Sequence, residues 1–271
     1  MSARIEFLKM NTETTTILVL GGTGKTGSRV IRRLRERQLP VRVGSRSEAP
    51  PFDWEKPSTW APALKQANAV YVTYYPDLAI PGAVEKGARR LVLLSGRGEK
   101  EAQRAEQAVR DSGADWTILR VSWFNQNFSE NYLLEPLLMG EVILPAGDIP
   151  EPFIDAEDIA DAAVAALTED GHVGKLYEMT GQRLLTFADA VAEIAKACDR
   201  NIRYQQVSVE EYEVPSEFVW LLKYLFSNVL DGRNAHITDG VRRALARPPR
   251  DFGDYVRETA AAGGWNRQSP V

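Results

Sequence analysis

Ile17-Leu18-Val19-Leu20-Gly21-Gly22-Thr23-Gly24-Lys25-Thr26-Gly27 runs a wholly apolar strand straight into a glycine-rich loop. The segment that follows sets Val30, Ile31 and Leu34 on one face and Arg29, Arg32, Arg33 and Arg35 elsewhere, the pattern of an amphipathic helix. Glycines at 21, 24 and 27 let the chain turn tightly, let a pyrophosphate approach the backbone, and let the helix pack close to the strand. The exposed N–H groups of the helix's first turn would hold an anion. In this strand–loop–helix setting the loop reads as a dinucleotide site. A P-loop is the rival, because Gly24-Lys25-Thr26 looks like the end of one. That motif needs a glycine five residues before Gly24, where Val19 stands, and the loop is too short to wrap a triphosphate.

Outward from the loop, short apolar runs alternate with helical patterns, as in a parallel sheet covered on both faces. Strands are predicted at 15–20, 41–44, 69–74, 91–95, 116–121 and about 175–180. The expected fold is α/β, a Rossmann-type doubly wound parallel sheet with a smaller C-terminal substrate lobe. Its expected divisions are a flexible N-terminus at 1–14, an NAD(P)-binding domain at 15–155, and the rest of the sheet with a mainly helical lobe at 156–271. A helix at 157–168 follows Asp155, a plausible N-cap with Asp158 at capping-box spacing, and another at 187–198 starts from Thr186 with Asp189. Segment 216–230 carries Phe218, Trp220, Leu221, Leu222, Tyr224, Leu225 and Phe226, too apolar around its circumference for a solvated helix. It reads as a pocket lid, a subunit contact or core. Only residues 76–90 connect two neighbouring strands, barely enough for a parallel crossover with its helix. Either that helix is truncated or residues are missing near Ala83-Val84, and a truncated helix would leave one face of the sheet partly bare.

The 271 residues suffice for one large α/β domain or a nucleotide domain with a lobe, and the composition is ordinary: 44% hydrophobic, 26% charged, net charge -4. Arginines interleave with acids, which speaks against nucleic acid as a partner. The single cysteine, Cys198, excludes an internal disulfide and a Cys-based zinc site, and reads as a structural thiol beside Phe187, Val191 and Ile194. Two histidines, His172 and His236, leave little for a metal, and none is expected. No apolar stretch reaches membrane-spanning length, and Met1–Thr16 lacks a signal peptide's apolar core, so the expectation is a cytoplasmic protein, monomer or homodimer, acting on a small molecule.

The chain resembles the NmrA-like group of atypical short-chain dehydrogenases/reductases, and within it bacterial relatives of the ergot-alkaloid reductases festuclavine synthase and agroclavine dehydrogenase. The resemblance rests on the glycine loop with Gly44-Ser45-Arg46-Ser47, Phe52-Asp53-Trp54, Leu93-Leu94-Ser95-Gly96 and Asp115-Trp116-Thr117-Ile118-Leu119-Arg120. It continues with Trp123-Phe124, Asn127-Phe128, Pro152-Phe153-Ile154-Asp155, Asp158-Ile159-Ala160, and Leu230-Asp231-Gly232-Arg233-Asn234-Ala235-His236. NAD-preferring folds place an acid about 20 residues past the glycine loop. Here Gly44, Ser45 and Arg46 occupy that place, and a hydroxyl with a guanidinium suits a 2′-phosphate, so NADP(H) is expected over NAD(H). The expected cofactor set is Gly21, Thr23, Gly24, Lys25, Thr26, Gly27, Ser45, Arg46, Asp53, Trp54, Thr73, Tyr74 and Ser95, with Asp53 at the resemblance's adenine-contacting position.

Typical members of the wider superfamily use a Tyr-x-x-x-Lys pair on the helix after Ser95, but residues 98–109 contain no tyrosine. Ser95 and Tyr75 are the catalytic candidates, and Tyr75, Trp123, Phe124 and Asn127 the expected substrate pocket. Two functions compete. One is an NADPH-dependent reductase of a small, largely apolar acceptor such as an iminium, a quinone or a conjugated C=N or C=C compound, for which positioning carries much of the catalysis. The other, which the resemblance to NmrA implies, is a non-catalytic NADP(H)-binding redox sensor.

Overall fold

The computed structural model describes residues 16–73, 88–212 and 219–266. Six strands form one sheet, all parallel, in the order β2-β1-β3-β4-β5-β7. They are β1 (Thr16–Leu20), β2 (Val41–Gly44), β3 (Ala67–Thr73), β4 (Arg90–Gly96), β5 (Asp115–Val121) and β7 (Lys175–Met179). All six strand predictions stand within a few residues at each end. Because side chains alternate across a strand, each apolar run feeds both faces. Val19, Tyr71, Val92, Leu94 and Leu119 join one core, covered by α1 (Lys25–Glu36) and α5 (Ala156–Thr168). Leu18, Leu20, Val70, Val72, Leu91, Leu93 and Ile118 join the other, with Ala63 and Leu64 of α2 (Trp60–Leu64) and Ala105 and Val109 of α3 (Lys100–Arg110).

The bare sheet face expected from the short crossover is not seen: Val70, Val72, Leu91 and Leu93 are fully buried. Most of the crossover itself, residues 74–87, lies outside the described residues. The cap of α5 also differs in part. Asp155 accepts the Glu157 N–H at 2.8 Å as expected, but the carboxylate of Asp158 accepts the Arg250 N–H at 2.7 Å and pairs with Arg247 at 2.7 Å. A buried acid was drawn to distant cations instead of closing a local box. The box at α6 (Phe187–Ala197) forms as predicted, Thr186 and Asp189 each accepting the other's N–H at 3.0 Å.

A third core gathers Phe128, Phe153, Phe187, Phe226, Phe252 and Trp265. It draws on α4 (Leu134–Met139), α6, α7 (Val219–Asn228) and α9 (Phe252–Ala261), while α8 (Gly240–Leu245) returns to the sheet beside β7. A separate parallel pair, β6 (Glu141–Leu144) with β8 (Arg203–Gln206), edges this lobe. Neither strand is among the sequence predictions; β8 is mostly exposed and polar, so no apolar run marks it. Cys198 ends α6, half-buried, its thiol against the Ile194 carbonyl at 2.9 Å. No helix among the described residues is long and apolar enough to cross a membrane.

Strand order reverses between β1 and β3, since β2 lies on one side of β1 and β3 on the other. Ligands of open parallel sheets bind at that switch point, beyond the carboxyl ends of the strands. The glycine loop leaves β1 there, and Thr73 ends β3 there: a Cβ on Gly21 would lie 3.2 Å from the Thr73 hydroxyl.

Candidate functional site

Gly21 takes the left-handed conformation at φ 70° that favours glycine, and its N–H donates to the Gly44 carbonyl at 3.2 Å. The loop closes on itself where the Gly24 N–H reaches the Gly21 carbonyl at 2.9 Å. Gly27 is required by contact: a Cβ there would stand 2.3 Å from the Gly21 oxygen. Helix α1 therefore packs directly against the loop. Its N-cap, Gly24, is extended and offers no side-chain cap, and the first turn carries no acid. First-turn amides left without a capping side chain, at the positive end of the helix dipole, fit a pyrophosphate. Behind the loop, Tyr71 donates its buried hydroxyl to Thr26 at 3.0 Å, and burial pushes that phenol up to about 12.

A cavity of about 970 Å³ opens from this loop. Gly21, Thr23, Gly24, Lys25 and Thr26 form one end, and Thr73, Ser95, Trp123, Phe124 and Asn127 continue the wall. Leu221, Leu222 and Leu225 of α7 close the apolar side, so the predicted apolar segment both lines the cavity and sends Leu222 and Phe226 into the lobe core. Lys25 donates to the Asn127 side-chain oxygen at 2.8 Å. Burial lowers its ammonium to about 8 against the opposing pull of Glu130. A lysine held next to the loop adds positive charge where phosphates would lie.

The serine expected to face the substrate is engaged elsewhere. Ser95 is buried and donates to Glu106 at 2.7 Å. Burial alone would raise Glu106, but hydrogen bonds from Arg120, Ser95 and Arg110 hold its carboxyl below the usual range. The hydroxyl proton thus serves an ionised carboxylate, not the cavity. Arg97, buried just past β4, is likewise occupied: it donates to Glu178 at 2.9 Å, to Ser122 and the Asn234 carbonyl at 3.1 Å, and meets His236 at 2.9 Å. Two carboxyls on the cavity wall are pushed up to about 7 by burial, Glu99 and Glu151. Glu151 is fully buried, and neither of its oxygens has a hydrogen-bond partner among the described residues.

Ten of the expected residues therefore meet in one cavity: Gly21, Thr23, Gly24, Lys25, Thr26, Thr73, Ser95, Trp123, Phe124 and Asn127. Gly27 packs behind the loop, and Tyr74 and Tyr75 lie outside the described residues. Ser45, Arg46, Asp53 and Trp54 are not part of the cavity wall and sit on the segment following β2. There Ser45 meets Ser47 at 3.1 Å, and Arg46 is exposed. Asp53 closes a turn, its carboxylate accepting the Glu55 N–H at 3.1 Å, and Trp54 stands edge-on to Phe52 at 4.7 Å. Sequence reasoning missed Arg97, Glu99, Tyr132 and Glu151, which carry no motif of their own. Glu151 directly precedes Pro152-Phe153-Ile154-Asp155, the one signal that could have drawn attention to it.

The family of proteins described as NAD(P)H-binding matches residues 21–170. An NAD(P)H azoreductase from Xenophilus azovorans is 29% identical over 92% of this chain and 99% of its own length. Festuclavine synthase II from Penicillium roqueforti is 30% identical over 89% of this chain and 97% of its own. An NADPH-dependent quinone oxidoreductase from Escherichia coli, solved with NADPH, superposes with a TM-score of 0.73 at 21% identity. It covers 89% of this chain and 99% of its own, a likeness of fold. With the glycine loop set at the switch point of a parallel sheet and more than half its residues matched, the chain belongs to the NAD(P)H-binding family, with reductases among its relatives.

Proposed function

We propose that the protein is an NADPH-dependent reductase of a small, largely apolar acceptor: an iminium, a quinone, or a conjugated C=N, N=N or C=C compound. The observation that carries this reading is the continuity of the cavity, from the uncapped start of α1 to an apolar wall of Trp123, Phe124, Leu221, Leu222 and Leu225. Bound at the loop, NADPH would supply a hydride. The glycine-loop amides and Lys25 would hold the pyrophosphate, Ser45 and Arg46 the 2′-phosphate, and Trp123, Phe124 and Asn127 would orient the acceptor and exclude water. The similarity to an NAD(P)H azoreductase supports the azo class of acceptor.

The test is oxidation of NADPH, and separately of NADH, in the presence of a quinone, an azo compound and an iminium. Turnover with at least one acceptor is expected, with NADPH bound more tightly than NADH. Equal or tighter binding of NADH would reject the 2′-phosphate assignment. Tight NADPH binding with no consumption by any acceptor would favour the redox-sensor reading instead.

A further inference from the structure

Glu151 follows the β6 segment in a short antiparallel bridge, its N–H and carbonyl paired with Leu185 at 2.9 and 3.1 Å. The backbone is thereby fixed, and the side chain reaches the cavity wall with both oxygens buried and unpartnered among the described residues. A carboxyl in that position is costly when ionised and, when neutral, carries a proton with no acceptor of its own. The charged groups that bear on it are Arg97, which favours its ionised form, and Asp231, which opposes it. Lys25, Glu99 and Glu130 line the same cavity. Burial outweighs the pull of Arg97, and the carboxyl is pushed up to about 7.

The other donors on the wall fit less well. Ser95 gives its proton to Glu106. The Tyr132 hydroxyl is buried and unpartnered too, but burial and Tyr212 raise it well above its usual value, and among the described residues no lysine bears on it to make it a ready acid.

We propose that Glu151 is the proton donor of this cavity, giving its carboxyl proton to the heteroatom of a quinone or azo acceptor. This rests on the reductase reading above. An acceptor that has taken hydride from bound NADPH, which is oxidised to NADP⁺, carries negative charge on the quinone oxygen or azo nitrogen. The Glu151 O–H bond breaks and its proton forms the new O–H or N–H bond. The electron pair stays on the Glu151 carboxylate, and a proton from water restores the acid.

The experiment compares wild type, Glu151→Gln, Glu151→Asp and Tyr132→Phe with a benzoquinone as acceptor, across pH. Wild-type kcat/KM should fall above about pH 7 as the acid ionises, because a general acid works only while protonated. Glu151→Gln should lower kcat about 100-fold with KM changed only a few-fold, and should abolish that alkaline fall. Glu151→Asp should recover part of the rate. Independently of turnover, infrared difference spectra of the cofactor-free protein below about pH 6 should show a protonated carboxyl C=O band that Glu151→Gln removes. Wild-type kcat and pH profile in Glu151→Gln, loss of the alkaline limb in Tyr132→Phe instead, or absence of the band would each overturn the proposal while leaving the reductase reading intact. No turnover by wild type with any acceptor would overturn both.

Discussion

Arg46 is exposed, and its guanidinium makes no hydrogen bond or ion pair among the described residues. A cation with no structural work to do at the end of β2 can be removed without disturbing the fold. Arg46→Ala is therefore expected to weaken NADPH binding roughly 10- to 150-fold, the loss of one charge-assisted contact, with NADH binding and Tm little changed. Fluorescence titration of both cofactors measures this; equal losses for the two would refute the 2′-phosphate role. Ser95 stands at the opposite extreme. Its hydroxyl helps satisfy Glu106, which also accepts from Arg120 at 2.5 and 2.8 Å and from Arg110 at 3.1 Å. Ser95→Ala should thus cost about 1–3 kcal/mol of stability in denaturant melts while turnover stays within a few-fold. A rate loss of about 100-fold would return the serine to the chemistry.

At the scale of elements, a clasp of charges joins the first helix to the fifth. Arg29 and Arg33 of α1 reach Glu157 of α5 at 2.7 and 2.5 Å, and Arg33 also reaches Asp161 at 2.5 Å. The clasp binds the helix that opens the nucleotide loop to the far part of the sheet. Burial works against an ionised Glu157, but the bonds from Arg33 and Arg29 prevail and lower it from 4.5 to about 2. A depressed carboxyl stabilises fully above its unfolded value. As pH falls from about 4.5 to about 2 the unfolded chain takes up a proton that the folded chain refuses, and the stabilisation is lost. Glu157→Gln should cost about 2 kcal/mol near neutrality and flatten the acid limb of stability against pH. Parallel acid limbs for variant and wild type would show that the clasp contributes nothing.

Across the whole molecule, the cavity lies where the sheet meets the aromatic lobe, so its apolar wall depends on the lobe core holding together. Trp265, close to the C-terminal end, is fully buried, donates to the Phe128 carbonyl at 2.8 Å and lies edge-on to Tyr255 at 6.0 Å. Trp265→Ala is expected to cost about 3–5 kcal/mol and lower Tm by on the order of 10 °C. Acceptor KM should rise more than the dissociation constant of NADPH, because the glycine loop belongs to the sheet. Calorimetry and titration read both, and an unchanged Tm would show that the end of the chain is dispensable to the lobe.

Local patterns alone determined the parallel sheet, the glycine loop and the capping box of α6, because each depends on neighbours within a turn or a strand. Continuous apolar runs demand burial on both faces, and glycine spacing demands close backbone approach wherever the chain goes afterwards. Composition leaves the role of the apolar segment 216–230 open, and packing supplies part of the answer: in α7, Leu222 and Phe226 enter the lobe core and Leu221, Leu222 and Leu225 line the cavity, while Trp220 is exposed. Only the tertiary structure turned Ser95 toward Glu106, drew Asp158 to Arg247 and Arg250, and left Glu151 buried without a partner. In each case the fate of a polar side chain was set by residues distant in the chain, since burial and charge pairing depend on three-dimensional neighbours that no local pattern records.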